Sequence, residues 1–76
     1  MNYAELVLAI EGLRHSLALN TRAIESLRRA MYDGAGLMAD RDLTAAMRRL
    51  GEAGMILRSR INELDVLRRD HAEADY

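Results

Sequence analysis

Cysteine, proline, tryptophan and phenylalanine are all missing from this 76-residue chain, and tyrosine, present three times, is its only large aromatic residue. Without cysteine there are no disulfides, no thiolate nucleophiles and no thiol metal sites, which fits a reducing compartment. With so few aromatics, none is interleaved with the basic residues to stack on nucleic-acid bases. Lysine and glutamine are absent as well, so every basic side chain is an arginine. That bias, with abundant alanine, points to a GC-rich bacterial genome. No apolar run approaches the roughly 20 residues needed to cross a bilayer. The opening Met1-Asn2-Tyr3-Ala4-Glu5 has no basic stretch, so no secretory signal is expected and a cytoplasmic location follows. A net charge of −1 argues against bulk attraction to nucleic acid or anionic lipid.

What the chain does have is two apolar seams that mirror each other. Tyr3, Leu6, Ile10, Leu13, Leu17, Asn20, Ile24, Leu27 and Met31 recur at alternating steps of three and four. Leu43, Met47, Leu50, Gly54, Leu57, Ile61, Leu64, Arg68 and His71 do the same. Folded at Gly34 to Gly36, the chain brings Met31 to Leu43, Leu27 to Met47, Ile24 to Leu50, Asn20 to Gly54 and Tyr3 to His71. The spacing therefore predicts an all-α antiparallel two-helix hairpin with coiled-coil-like packing. Its helices run over about 2–33 and 40–70, with a turn at 34–39 and a frayed acidic tail at 71–76. Asn2 with Glu5 reads as an N-terminal cap, Asp40 or Asp42 as the cap of the second helix, and Gly34 as a left-handed stop. Glu25 with Arg29, and Asp65 with Arg69, have the acid-first spacing that supports a helix. Residues 1–13 and 61–76 carry two and five acids against two arginines, and residues 14–60 nine arginines against five acids. The hairpin is thus expected to be acidic at its tip.

Flanking the seam, Ala9, Ser16, Ala23 and Ala30 face Leu67, Arg60, Ala53 and Ala46, and the small residues among them permit close approach. Gly12, Gly51 and Gly54 each cost about 1 kcal/mol against alanine inside a helix. They predict close packing, a weak waist, or a groove for a partner's side chain. Apolar residues are also left over. Leu8 and Leu19 lie off the first seam, Met55, Ile56, Val66 and Leu67 off the second, and Leu37 and Met38 fall in the turn. Two helices share a single interface and bury little, so these six off-seam residues are the candidate partner interface, with Leu8, Leu19, Met55 and Ile56 expected to form one docking stripe.

Nothing in the pattern points to chemistry. His15 and His71 lie far apart, Glu11 and Glu63 approach without a histidine, and no phosphate loop, HExxH or nucleophile elbow occurs. No catalytic, cofactor-binding or metal residue is assigned, and an enzyme is not expected. Arg22, Arg29 and His15 share an outer stripe near Arg48 and Arg49, a face that would suit structured RNA if it were more than a solvated surface.

The segments Leu27-Arg28-Arg29-Ala30-Met31-Tyr32-Asp33-Gly34-Ala35-Gly36 and Arg48-Arg49-Leu50-Gly51-Glu52-Ala53-Gly54-Met55-Ile56-Leu57 resemble the small co-chaperones of bacterial type III secretion needle subunits. That resemblance implies a hairpin that pairs with a tetratricopeptide-repeat chaperone and keeps the needle subunit unassembled, with Leu50, Gly54 and Leu57 as the matching positions. The second helix is longer than that family's, and the tyrosine-glutamine pair near its start is missing. Needle subunits themselves have a proline-bearing turn, and the secreted Trp-x-Gly hairpins need a tryptophan; this chain has neither. The expected role is a non-enzymatic protein–protein interaction module of this co-chaperone type. The alternative is a homodimeric four-helix-bundle regulator or inhibitor, of a kind that phages encode, with RNA binding the third reading.

Overall fold

The structure, a computed structural model, describes residues 2–33 and 40–74. It is a helical hairpin: α1 spans Tyr3–Asp33 and α2 spans Asp40–Ala74, packed antiparallel along their length. Gly34, Gly36, Leu37 and Met38 lie outside the described residues.

α1 starts where its first residues can satisfy the free backbone donors. The Asn2 side chain accepts the Glu5 N–H through Oδ1 at 2.8 Å, and its Nδ2 donates to Glu5 Oε1 at 2.9 Å. The Leu6 N–H donates to the Asn2 carbonyl at 3.0 Å. This is a capping box in which the glutamate reaches the cap's carboxamide rather than its backbone N–H. α2 begins at Asp40, so Asp42 sits inside its first turn. There a carboxylate complements the helix dipole. Arg28 and Arg29 lie upstream of the last turn of α1, which has no basic residue. The tail expected to fray from residue 71 is helical through Ala74, since alanine and glutamate favour helix.

The seam packs in the predicted register. A Cβ built on Gly54 would lie 2.8 Å from Asn20 Oδ1 and 3.9 Å from Leu17 Cδ1. Leu6, Ile10, Leu43 and Ile61 are the fully buried apolar side chains among the described residues. Leu13, Leu17, Asn20, Ile24, Leu27, Met47, Leu50, Leu57 and Leu64 are half-buried, and Gly54 is buried. Burial is thus deepest near the two ends and shallower at the waist.

Two seam positions depart from the reading. Met31 is exposed, because it lies in the last turn of α1, where α2 has just begun. His71 is also exposed, and Tyr3 lies instead beside Arg68, one turn earlier on α2. Arg68 is held there by Asp65, with its Nε donating to Asp65 Oδ1 at 3.0 Å. Arg69 joins the same carboxylate at 3.7 Å. The expected Glu25–Arg29 pair is not formed among the described residues, where Arg60–Glu63 at 3.2 Å completes the ion pairs. Arg14, Arg58 and Arg60 stand on the Tyr3 side of the waist, so the acidic character is confined to the tip.

Candidate interaction surfaces

A two-helix hairpin has two lateral sides, and here they differ. On one side Val7, Arg14, Thr21 and Arg28 recur every seven residues along α1, opposite Gly51, Arg58 and Asp65 of α2. Three concavities lie in line on this side. The first, of about 260 Å³, is lined by Tyr3, Val7, Ile10, Glu11, Arg14 and Arg68. The second, at the waist and about 240 Å³, is lined by residues including Asn20, Ile24, Glu25, Gly51, Met55 and Arg58. The third, of about 360 Å³, is lined by Arg28, Met31, Tyr32 and Met47. Arg28 borders both the second and the third. Arg28 thus joins the second to the third as one shallow groove, and the seven-residue recurrence of Val7 and Arg14 with Thr21 and Arg28 places the first on the same side.

The waist of this groove is made by glycine. A Cβ at Gly51 would meet nothing within 4 Å, so the missing side chain leaves open space. At Gly54 the space is filled, because Asn20 lies over it and donates from Nδ2 to the Leu50 carbonyl at 2.9 Å. One glycine therefore answers a packing need and the other opens the groove. Gly12 also meets nothing within 4 Å, and no contact accounts for it. The Thr21 hydroxyl is satisfied within its helix, donating to the Leu17 carbonyl at 3.0 Å, and Ser16 does the same to Gly12 at 3.1 Å.

The opposite side carries mainly small residues along α1. Ala9, Ser16, Ala23 and Ala30 of α1 lie along Ala46, Ala53, Arg60 and Leu67 of α2, edged by Leu19 and Ile56. All six candidate interface residues are exposed, from Leu67 at 48% to Met55 and Ile56 at 70%. They do not form one stripe. Met55 lines the groove at the waist, whereas Leu19 and Ile56 edge the alanine side and Leu8 and Val66 point outward between the two. Tyr32, 88% exposed beside the third concavity, adds an apolar surface the seam pattern had not singled out.

Charge is distributed unevenly. Arg68 holds the Asp65 carboxyl below its ordinary range by hydrogen bonding, against an opposing effect of burial. The Arg68 guanidinium is raised in turn, first by Asp65 and then by Tyr3. Glu11 lies on the groove side and Glu63 pairs with Arg60 on the other, so the two do not converge. Among the described residues no three His, Asp or Glu side chains gather as metal ligands, and no helix is long and apolar enough to cross a membrane. His15, Arg22, Arg29, Arg48 and Arg49 are all exposed. Arg14 and Arg58 were legible only from the seven-residue recurrence that places them on the groove.

No family model, curated protein or solved structure matches this chain.

Proposed function

We propose that this protein is a non-enzymatic interaction module that contributes two helices to a bundle completed by another chain. The observation that carries this reading is the imbalance between buried and exposed apolar side chains. Four are fully buried among the described residues, while nine large ones, Tyr3 and Tyr32 among them, stand exposed. The accessible surface is 6046 Å², where a compact chain of 8.6 kDa would expose about 4,700 Å². The excess, about 1,300 Å², exceeds the roughly 800 Å² that each partner buries in an ordinary stable complex.

Within that class, the role we favour is a bacterial cytoplasmic co-chaperone. It would pair with a helical-repeat chaperone and keep a type III secretion needle subunit from polymerising. Its support is the likeness of the segments around Leu27–Gly36 and Arg48–Leu57 to that family, together with the exposed apolar surface a chaperone would cover. A second reading, a homodimeric four-helix bundle, is favoured by the alanine-lined side edged by Leu19 and Ile56, where two hairpins can approach closely.

Light scattering across a dilution series, with helical circular dichroism on the same samples, tests the module reading. A weakly helical chain that gains helix on mixing with a purified needle subunit and its repeat chaperone supports the co-chaperone role. A helical dimer that Leu19→Glu dissociates supports the second reading. A fully helical monomer, stable at all dilutions and unchanged by either partner, would refute both.

A further inference from the structure

The two walls of the groove are not equivalent. On the α1 wall charges alternate, with Glu11 followed by Arg14 and Glu25 by Arg28. On the α2 wall the seven-residue recurrences place Arg48, Met55, Asn62 and Arg69 along the rim, with Arg58 inside it. The single acid of that wall, Asp65, is already engaged by Arg68 and Arg69. Arg48 and Arg58 have no ion-pair partner among the described residues. Between the walls Ile24 and Met55 give an apolar stretch beside Asn20, and the groove is open at Gly51. We propose that this groove receives an amphipathic helix of a partner protein, with its apolar stripe over Gly51 and Met55 and its carboxylates along the α2 wall.

This rests on the interaction-module reading and specifies the partner's chemistry. Apolar surface supplies the contact area of a helix laid in a groove, and charge decides which helix is accepted and in which orientation. Arginine suits the role because its aliphatic stem extends the apolar floor while its guanidinium takes a carboxylate. Arg48, Arg58 and Arg69 lie at successive axial steps of about 15–17 Å along α2. Carboxylates eleven residues apart on the partner helix, three turns on and nearly on the same edge, match that spacing. RNA would use the arginines but not the apolar floor.

The test uses the full chain and two synthetic helical peptides of about 25 residues. Both carry the same leucine-alanine stripe; one has glutamate at eleven-residue intervals along one edge, the other lysine. Fluorescence anisotropy is measured at low salt and again at about 300 mM, where charge pairing is screened. The glutamate peptide should bind at least about tenfold tighter than the lysine peptide, with the gap narrowing in salt. Arg48→Glu with Arg58→Glu should reverse the preference. Gly51→Met, whose side chain has open space to enter, should keep the circular dichroism of the wild type and abolish binding of both peptides.

Equal affinity for the two peptides overturns the proposal, as does binding that survives Gly51→Met. Competition by an RNA stem-loop that Gly51→Met leaves intact would also overturn it, in favour of a phosphate-binding face. If Leu19→Glu disrupts association while the groove variants are silent, the module reading stands and the groove proposal alone falls.

Discussion

Asn20 and Gly54 are fitted to each other across the waist of the hairpin. The Asn20 Nδ2 donates to the Leu50 carbonyl at 2.9 Å, and its Oδ1 occupies the place next to a Gly54 Cβ, 2.8 Å away. A polar residue in an otherwise apolar seam fixes register at some cost in stability. Sliding the helices by one turn would move this carboxamide from a glycine onto a side chain.

The three helix-interior glycines should therefore respond differently to alanine. Gly12→Ala and Gly51→Ala enter open space and are expected to stabilise the hairpin by about 0.5–1 kcal/mol each. Gly54→Ala gains the same propensity but displaces the Asn20 side chain and its hydrogen bond, a loss of about 1 kcal/mol. Thermal melts at fixed concentration should show gains at residues 12 and 51 and none at 54. Equal gains at all three would mean that Asn20 does not pin the register.

A double-mutant cycle checks the same contact independently. Once Asn20→Ala has removed the carboxamide, Gly54→Ala should recover the stabilisation seen at Gly51. A coupling energy of about 1 kcal/mol between the two positions is expected. Additive effects would show that they act separately.

Leu6 and Leu8 separate folding from association. Leu6 is 1% exposed and Leu8 67%. Leu6→Ala should destabilise the hairpin by about 2–5 kcal/mol, enough to abolish its helical dichroism given so small a core. Leu8→Ala should change the stability of the separate hairpin by no more than about 0.5 kcal/mol. Urea titrations below the association concentration distinguish the two.

Asp65 should give the hairpin a specific acid sensitivity. Its carboxyl is held below the ordinary range, chiefly by the Arg68 hydrogen bond. A lowered native-state pKa means that this stabilisation is complete above the unfolded-state value and is lost as pH falls through the folded one. Solvent access to the Arg68 and Arg69 partners keeps the effect small and salt-sensitive. Melting temperatures of the wild type and Asp65→Asn should differ at neutral pH and converge in acid. A gap that persists below the carboxylate range would assign the effect to packing instead.

At the start of α1, Asn2→Ala removes both side-chain bonds to Glu5. The expected loss is about 1 kcal/mol. It should be read as faster amide exchange in the first turn, with little change near Asn20.

Much of this was visible in the chain itself. The seam spacing gave the antiparallel pairing of Asn20 with Gly54, and the Asn2–Glu5 spacing gave the cap. The spacing marks the interface residues as off the seam, but its grouping of Leu8, Leu19, Met55 and Ile56 into one stripe does not hold, since of the four Met55 alone lines the groove. Met55 and Ile56 are adjacent, and one residue step along a helix turns about 100°. That step sends Met55 to the groove and leaves Ile56 at the edge of the alanine side. Tyr3 was paired with His71 by spacing alone, yet Asp65 holds Arg68 in that place, a choice that depends on a side-chain contact.

The sequence by itself determined two helices, their antiparallel register and a small core, because apolar periodicity and capping are local properties that each helix carries independently. Only the tertiary structure decided which side of the hairpin opens into a groove, that Gly51 leaves space while Gly54 is filled, and that Arg58 borders that space. Those features depend on how closely two helix surfaces approach and which side chains occupy the space between them. The spacing within one helix does not specify that separation.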